Sequence, residues 1–183
     1  MENEKSYTIE DRHVYVFDNM FTSEMVFYWE NECKNAFFKR KEYSKDPTKM
    51  FYSAEFDIDM IAELPMCKQV VQKIKEKFGV DLQLMRAFIN AQTYGDQSET
   101  HIDAFDETVT ALFYIIPNGD WDKEWGGETI FYENDEPTVM VLPKNNRLVL
   151  ADARILHCGR TPNRQCHISR YTLSLKYTKE AQK

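Results

Sequence analysis

The apolar positions of the chain follow two regimes that change near residue 80, helical periodicity before it and short alternating runs after it. Residues 13–17, HVYVF, read as a first strand. Thr22 or Ser23 can then cap a helix on which Met25, Trp29, Cys33 and Phe37 recur at helical spacing, running to about Arg40. Pro65 suits the first turn of a second helix, with Val70, Val71, Ile74 and Phe78 on its apolar face and Gly79 ending it. Between the helices, residues 41–57 mix polar and aromatic side chains and read as a mobile loop.

From residue 82 the β-rich runs follow closely, over 82–93, 99–105, 108–116, 127–132, 138–142, 147–152 and 167–178. Gly126-Gly127 and Asn145-Asn146 are among the turn signals between them. Seven such runs and the N-terminal strand supply the eight strands of a double-sheet jelly roll. The expectation is a mainly β fold with α: one domain over 1–183, with a double-stranded β-helix (jelly roll) over about 82–178 and N-terminal helices buttressing it over about 18–80. No internal repeat modifies this reading.

Composition narrows the partners. A formal charge of −7, from 23 basic and 30 acidic residues, repels a phosphate backbone, so nucleic acid is disfavoured. The first residues, MENEKSYTIEDR, lack an apolar leader core, and no stretch approaches the roughly 18 apolar residues of a membrane span, so a cytoplasmic protein without a membrane partner is expected. Cys33, Cys67, Cys158 and Cys166 show no C-x-x-C pairing and read as reduced thiols.

The candidate chemistry sits in Thr100-His101-Ile102-Asp103. On a strand, His101 and Asp103 project from the same face, so an imidazole and a carboxylate converge on the barrel interior. His157, just after RLVLAD, can complete a two-histidine, one-carboxylate set that leaves open positions on a ferrous ion. His13, in the first strand, and His167, without an acidic neighbour at strand spacing, read as structural. Zinc accepts the same ligands, but no H-E-x-x-H is present to bring a hydrolytic base. In Ser169-Arg170-Tyr171-Thr172-Leu173-Ser174-Leu175 the polar residues Arg170, Thr172 and Ser174 share one face. An arginine buried there needs an anion, and its planar fork fits a carboxylate, with Arg164 and Arg160 as alternative partners.

His101-x-Asp103, the distal His157 and Arg170 opening a terminal strand resemble the Fe(II)/2-oxoglutarate-dependent dioxygenases, specifically their prolyl 4-hydroxylase-like branch. VTALFYIIPNGDW, WGGETIFY and PKNNRLVLADARILHCG are similar to that branch over about residues 83–178. The resemblance implies Fe(II) on His101, Asp103 and His157. It implies 2-oxoglutarate as co-substrate, its distal carboxylate on Arg170 and Tyr114, with Tyr94 and Thr172 in the same pocket, and ascorbate as an accessory reductant. Arg170 follows His157 by more than the family's usual spacing, so Gly159–Ile168 contains an insertion.

The activity so implied is hydroxylation of an unactivated C–H bond with dioxygen, on a peptidyl or free proline-like substrate or another small molecule. Tyr43, Phe51, Tyr52, Trp121, Trp125 and Arg160 are expected to frame the mouth on loops 41–57, 95–100, 118–126 and 158–166. Trp121 and Trp125 are candidates for a proline groove, and Asp120, Asp122 and Glu124 would favour a cationic substrate. Asp152 is a candidate to orient an imidazole. The competing readings are a jelly-roll module that binds metal without turnover and a cupin-type enzyme that needs no 2-oxoglutarate. Oligomeric state is not legible.

Overall fold

The computed structural model describes residues 3–43, 46–96, 98–117 and 119–179, so residues 44, 45, 97 and 118 of the expected mouth loops lie outside the described residues. Strands β1 (Asn3–Ile9) and β2 (Arg12–Asp18) lead into helix α1 (Ser23–Asn35). A hairpin of β3 (Lys39–Tyr43) and β4 (Asp46–Phe56) follows, then α2 (Ile58–Ala62) and α3 (Pro65–Phe78). The rest is β5 (Gln83–Gln92), β6 (Val109–Ile115), β7 (Thr129–Glu133), β8 (Glu136–Val141), β9 (Arg147–Asp152), β10 (His157–Gly159) and β11 (Arg170–Thr178). Eight strands form one sheet in the order β1-β2-β9-β6-β11-β5-β4-β3, and β10-β7-β8 form a second. All the pairings are antiparallel. This is the expected jelly roll, with the helices as a third layer.

The central strands are apolar on both faces because each face has its own cover. Every residue of β6 is buried. Val109, Ala111, Phe113 and Ile115 join Leu148, Leu173 and Leu175 in a core shared with Trp29, Met66, Val70 and Ile74 of the helices. Leu112 and Tyr114 point the other way, into a second core with Phe131, Val139, Val141 and Val149. Pro65 starts α3, and Gly79 ends it at φ 68°, donating to the Lys75 carbonyl, as its sequence implies.

Three expectations need correction. Helix α1 stops at Asn35 because Ala36 is already extended, so Phe37 lies off the helix and is largely exposed. Thr22 occupies its N-cap position without a capping bond from its side chain. Of the segment read as a loop over 41–57, 41–43 and 46–56 lie in strands β3 and β4, and Asp57 is the N-cap of α2. KRKEY gives no period-2 apolar signal because β3 is the sheet edge, where lysine and arginine discourage pairing with another chain. Nor is 99–105 a strand, since only His101 makes a β-bridge there.

One buried ion pair ties the sheet to the turn before β9. Asp18 accepts from Arg147 Nε at 2.6 Å and Nη2 at 3.0 Å and from Lys144 Nζ at 2.8 Å, while Arg147 Nη1 donates to the Leu142 carbonyl. Burial alone would raise the Asp18 pKa, but Arg147 and Lys144 overcome it and hold the carboxyl at about 2. Because that value is below the unfolded one, the stabilisation is complete above about pH 4 and is lost as pH falls towards about 2. Asp18→Asn is expected to destabilise by about 2 kcal/mol in urea unfolding at neutral pH, since the partly buried Arg147 loses its carboxylate. The gap between variant and parent should narrow through that acid window.

Candidate metal centre

A cavity of about 310 Å³ opens between the sheets where inward positions turn polar. Along β11, Leu173, Leu175 and Tyr177 face the helices, whereas Arg170, Thr172, Ser174 and Lys176 line the cavity. The cross-strand register continues this row on β5, with Gln92 beside Arg170, Asn90 beside Thr172, Phe88 beside Ser174 and Arg86 beside Lys176.

His101 and His157 meet through the backbone. Each donates its N–H to the other's carbonyl at 2.9 Å, an isolated antiparallel bridge joining the segment before β6 to β10. Two residues on, Asp103 N–H donates to the Ala153 carbonyl at 2.9 Å. Each ring also uses its Nδ1 locally, His101 towards the Glu99 carbonyl at 2.9 Å and His157 towards the Ile155 carbonyl at 2.8 Å. A carbonyl oxygen only accepts, so Nδ1 carries the proton in both rings and Nε2 keeps its lone pair.

Those two nitrogens face Asp103, with His101 Nε2 3.3 Å from Oδ1 and His157 Nε2 3.4 Å from Oδ2. The ligand atoms of the three residues all lie within 4.8 Å of one another. Bonds of about 2.1 Å to one ion place neighbouring ligand atoms about 3 Å apart, so the set fits a single metal with open positions. Burial lowers the His157 pKa to about 4, which keeps the ring neutral at pH 7. The Asp103 carboxylate, which would accept from Nε2 of a protonated ring, raises that of His101 against its burial. Burial opposes ionisation of Asp103, but His101, Lys176 and His157 together hold its pKa well below the usual range. Its Oδ2 accepts from Thr110 Oγ1 at 2.7 Å and from Lys176 Nζ. Sequence reading missed Lys176, although it continues the alternation of Arg170, Thr172 and Ser174.

At the other end of the cavity Arg170 is 3% exposed. Its Nε donates to the Gly127 carbonyl at 2.6 Å, Nη1 to Gln92 Oε1 at 2.8 Å and Nη2 to Thr129 Oγ1 at 2.9 Å. These neutral acceptors account for three of its five N–H groups. Gly127, at φ 80°, permits the approach, because a Cβ there would lie 3.0 Å from Trp121 and 3.3 Å from Arg170 Cδ. Thr172 lines the cavity, as expected.

Tyr114 sits behind Arg170, its ring 5.3 Å from the guanidinium and its hydroxyl 2.6 Å from Thr129 Oγ1. It belongs to the second core and is absent from the cavity lining. Tyr94 is placed differently from the expectation: it is 64% exposed on a turn after β5, closed by Asp96 Oδ2 accepting from Thr93 N–H, and it does not line the cavity.

Asp152 does not orient an imidazole. It pairs with Arg154, and the backbone carbonyls of residues 99 and 155 take that role. Trp121 and Trp125 pack edge to face at 5.3 Å, Trp121 Nε1 donates to the Gly126 carbonyl, and Trp125 packs on His167. They pin the segment between β10 and β11 to this turn through Asn163 N–H donating to the Trp125 carbonyl, and they are not part of the cavity. Arg160, Arg164 and Tyr52 are likewise outside its lining, whereas Phe51 lines it; the Tyr43 side chain lies outside the described residues.

The family model described as the 2OG-Fe(II) oxygenase superfamily matches residues 89–177, the stretch that carries the three clustered ligands and Arg170. Over that stretch the chain matches this superfamily. Like its members it is a dioxygenase that uses Fe(II) and 2-oxoglutarate. Among solved structures, the superfamily fold recurs in a prolyl hydroxylase from Trichoplax adhaerens in complex with a hypoxia inducible factor peptide fragment. That likeness has a TM-score of 0.68 at 18% identity, over 91% of this chain and 84% of that one. A Pseudomonas putida prolyl-4-hydroxylase gives 0.68 at 14%, over 91% and 92%. A 2OG-Fe(II) oxygenase family oxidoreductase from Burkholderia pseudomallei gives 0.71 at 15%, over 90% and 84%. No curated protein sequence matches this oxygenase. Among the described residues no helix is long and apolar enough to cross a membrane, and the four cysteines are free.

Anaerobic titration with Ni(II) or Co(II), followed by thermal unfolding, should raise the melting temperature of the parent. His157→Ala and Asp103→Ala are expected to lose that shift, and His167→Ala to keep it.

Proposed function

We propose that this oxygenase is a prolyl-hydroxylase-like hydroxylase of a peptidyl or free proline-like substrate, with Fe(II) held by His101 Nε2, Asp103 Oδ1 and His157 Nε2. The observation that carries the reading is the buried Arg170 guanidinium, whose hydrogen-bond partners among the described residues are all neutral, in the same cavity as the three candidate ligands. Such a cation is costly unless an anion reaches it, and its fork matches the distal carboxylate of 2-oxoglutarate. When bound, Fe(II) and 2-oxoglutarate supply the oxidising chemistry, in which dioxygen is consumed, succinate and carbon dioxide leave and a C–H bond gains a hydroxyl.

The residues of the chain bind and orient. Thr110 and Lys176 occupy Oδ2 of Asp103, so the carboxylate offers Oδ1 as its single donor. The two Nδ1–H to carbonyl bonds aim both rings. Gln92 fixes the Arg170 fork from the side, with its Oε1 on Nη1 and its Nε2 donating to Ser98 Oγ at 2.6 Å. Tyr114 supports the guanidinium from behind and holds Thr129 in place. The likeness to two prolyl hydroxylases supports a proline-like substrate.

In anaerobic titration of the Fe(II)-loaded protein with 2-oxoglutarate, a visible metal-to-ligand charge-transfer band should appear. For Arg170→Ala its midpoint should rise about a hundredfold, the loss of one buried charge-assisted pair. A midpoint equal to that of the parent would remove Arg170 from this role.

A further inference from the structure

The cavity runs against the charge of the whole molecule. Four cationic side chains, Lys41, Arg86, Arg170 and Lys176, line it with the single carboxylate of Asp103, although the chain has 23 basic and 30 acidic residues. Lys176 is committed to Asp103, and the proposed function gives Arg170 the distal carboxylate of 2-oxoglutarate. Lys41 and Arg86 remain, on the wall formed by β3 and β5. They share Glu55, which lies 2.5 Å from Arg86 Nη2 and 3.7 Å from Lys41 Nζ, so one carboxylate serves two cations.

This cationic end is remote from Arg170. On β5, Arg86 stands beside Lys176 and Gln92 stands beside Arg170, six residues away, which is about 20 Å along a strand. One molecule of 2-oxoglutarate is far shorter than that and cannot satisfy both ends. The guanidinium of Arg86 is stacked 4.4 Å from the centre of the Phe88 ring, which fixes its plane, and half of its side chain is open to solvent. Between the two ends Asn90 brings a buried Oδ1 that has no hydrogen-bond partner among the described residues, an acceptor suited to an N–H or O–H of a ligand.

We infer that Arg86 and Lys41 form an anion subsite for the substrate, which carries a free carboxylate and is hydroxylated on a carbon lying between that carboxylate and the metal. The inference rests on the proposed function and names the substrate class for the same site. The carboxylate displaces Glu55 from Arg86 and pairs with a guanidinium already oriented by Phe88, while Asn90 Oδ1 accepts from the substrate's amine or amide. The acidic residues Asp120, Asp122 and Glu124, which the sequence offered as a cue for a cationic substrate, do not line the cavity.

The test measures succinate formation by the Fe(II)-loaded enzyme with 2-oxoglutarate and a panel of the free L-amino acids, L-proline included, each beside its carboxamide. Capped proline peptides flanked by aspartate or by asparagine form a second arm, which tells a free acid from an acidic side chain as the source of the carboxylate. At least one carboxylate compound should raise turnover above the substrate-free rate, its neutral counterpart needing about tenfold more for the same effect, as for loss of one charge-assisted contact. The Arg86→Gln, Lys41→Gln double variant should erase that preference. Glu55→Gln, which removes the internal competitor, should lower the half-saturating concentration of the acid and leave that of the neutral compound unchanged. A neutral compound that equals its acid, a preference that survives in the double variant, or no response to any carboxylate overturns the subsite. A substrate-free succinate rate dependent on iron and 2-oxoglutarate upholds the metal and co-substrate chemistry of the proposed function in each of those cases, and the absence of that rate from every mixture overturns both.

Discussion

The site depends on one pair of backbone hydrogen bonds, those that His101 and His157 exchange. The two residues are far apart in sequence and lie in different parts of the fold, one in an irregular segment before β6 and the other at the start of β10. An antiparallel pair of this kind fixes both Cα positions and both Cβ directions. The third ligand follows two residues later, anchored to Ala153 by its own N–H. The geometry of three side chains is therefore set by main-chain pairing at the rim of the barrel, and the long strands behind it keep that rim in place.

Charge inside the barrel is arranged in matched stations along β11. Arg170 is a buried cation and Lys176 a largely buried one, and desolvation pulls the pKa of each down, but their surroundings differ. Lys176 has a carboxylate at hand and locks it, whereas Arg170 has a ring of neutral acceptors that orient it without neutralising it. Thr172 and Ser174 space the two apart on one strand face. The opposite face of β11 is apolar and seals the helical layer, so a single strand carries both the packing that holds the fold and the polarity of the site.

Much of this was legible from side-chain order. Period-2 alternation on β11 named Arg170 and Thr172 as inward, the proline and glycine at 65 and 79 bounded α3, and the H-x-D pair with a distal histidine named three residues that cluster. What was not legible had physical causes. The β3–β4 hairpin is an edge with charged residues on its inner face, so neither hydrophobicity nor turn residues announced it. The segment 99–105 converges its ligands by a bridge and a bend, which periodicity reads as a strand. Tyr94 and the two tryptophans were aromatic residues near the right place in sequence, but a tight turn points the first outwards and the others pin a loop. The partners of the imidazoles escaped notice because they are main-chain oxygens, which have no letter in the sequence.

That last feature bears on how such a centre endures. A ring steered by an aspartate or a glutamine loses its guide through one codon change, whereas every amino acid at positions 99 and 155 brings the same carbonyl. The flanking sequence is thus free to drift while both rings keep their tautomer and their aim.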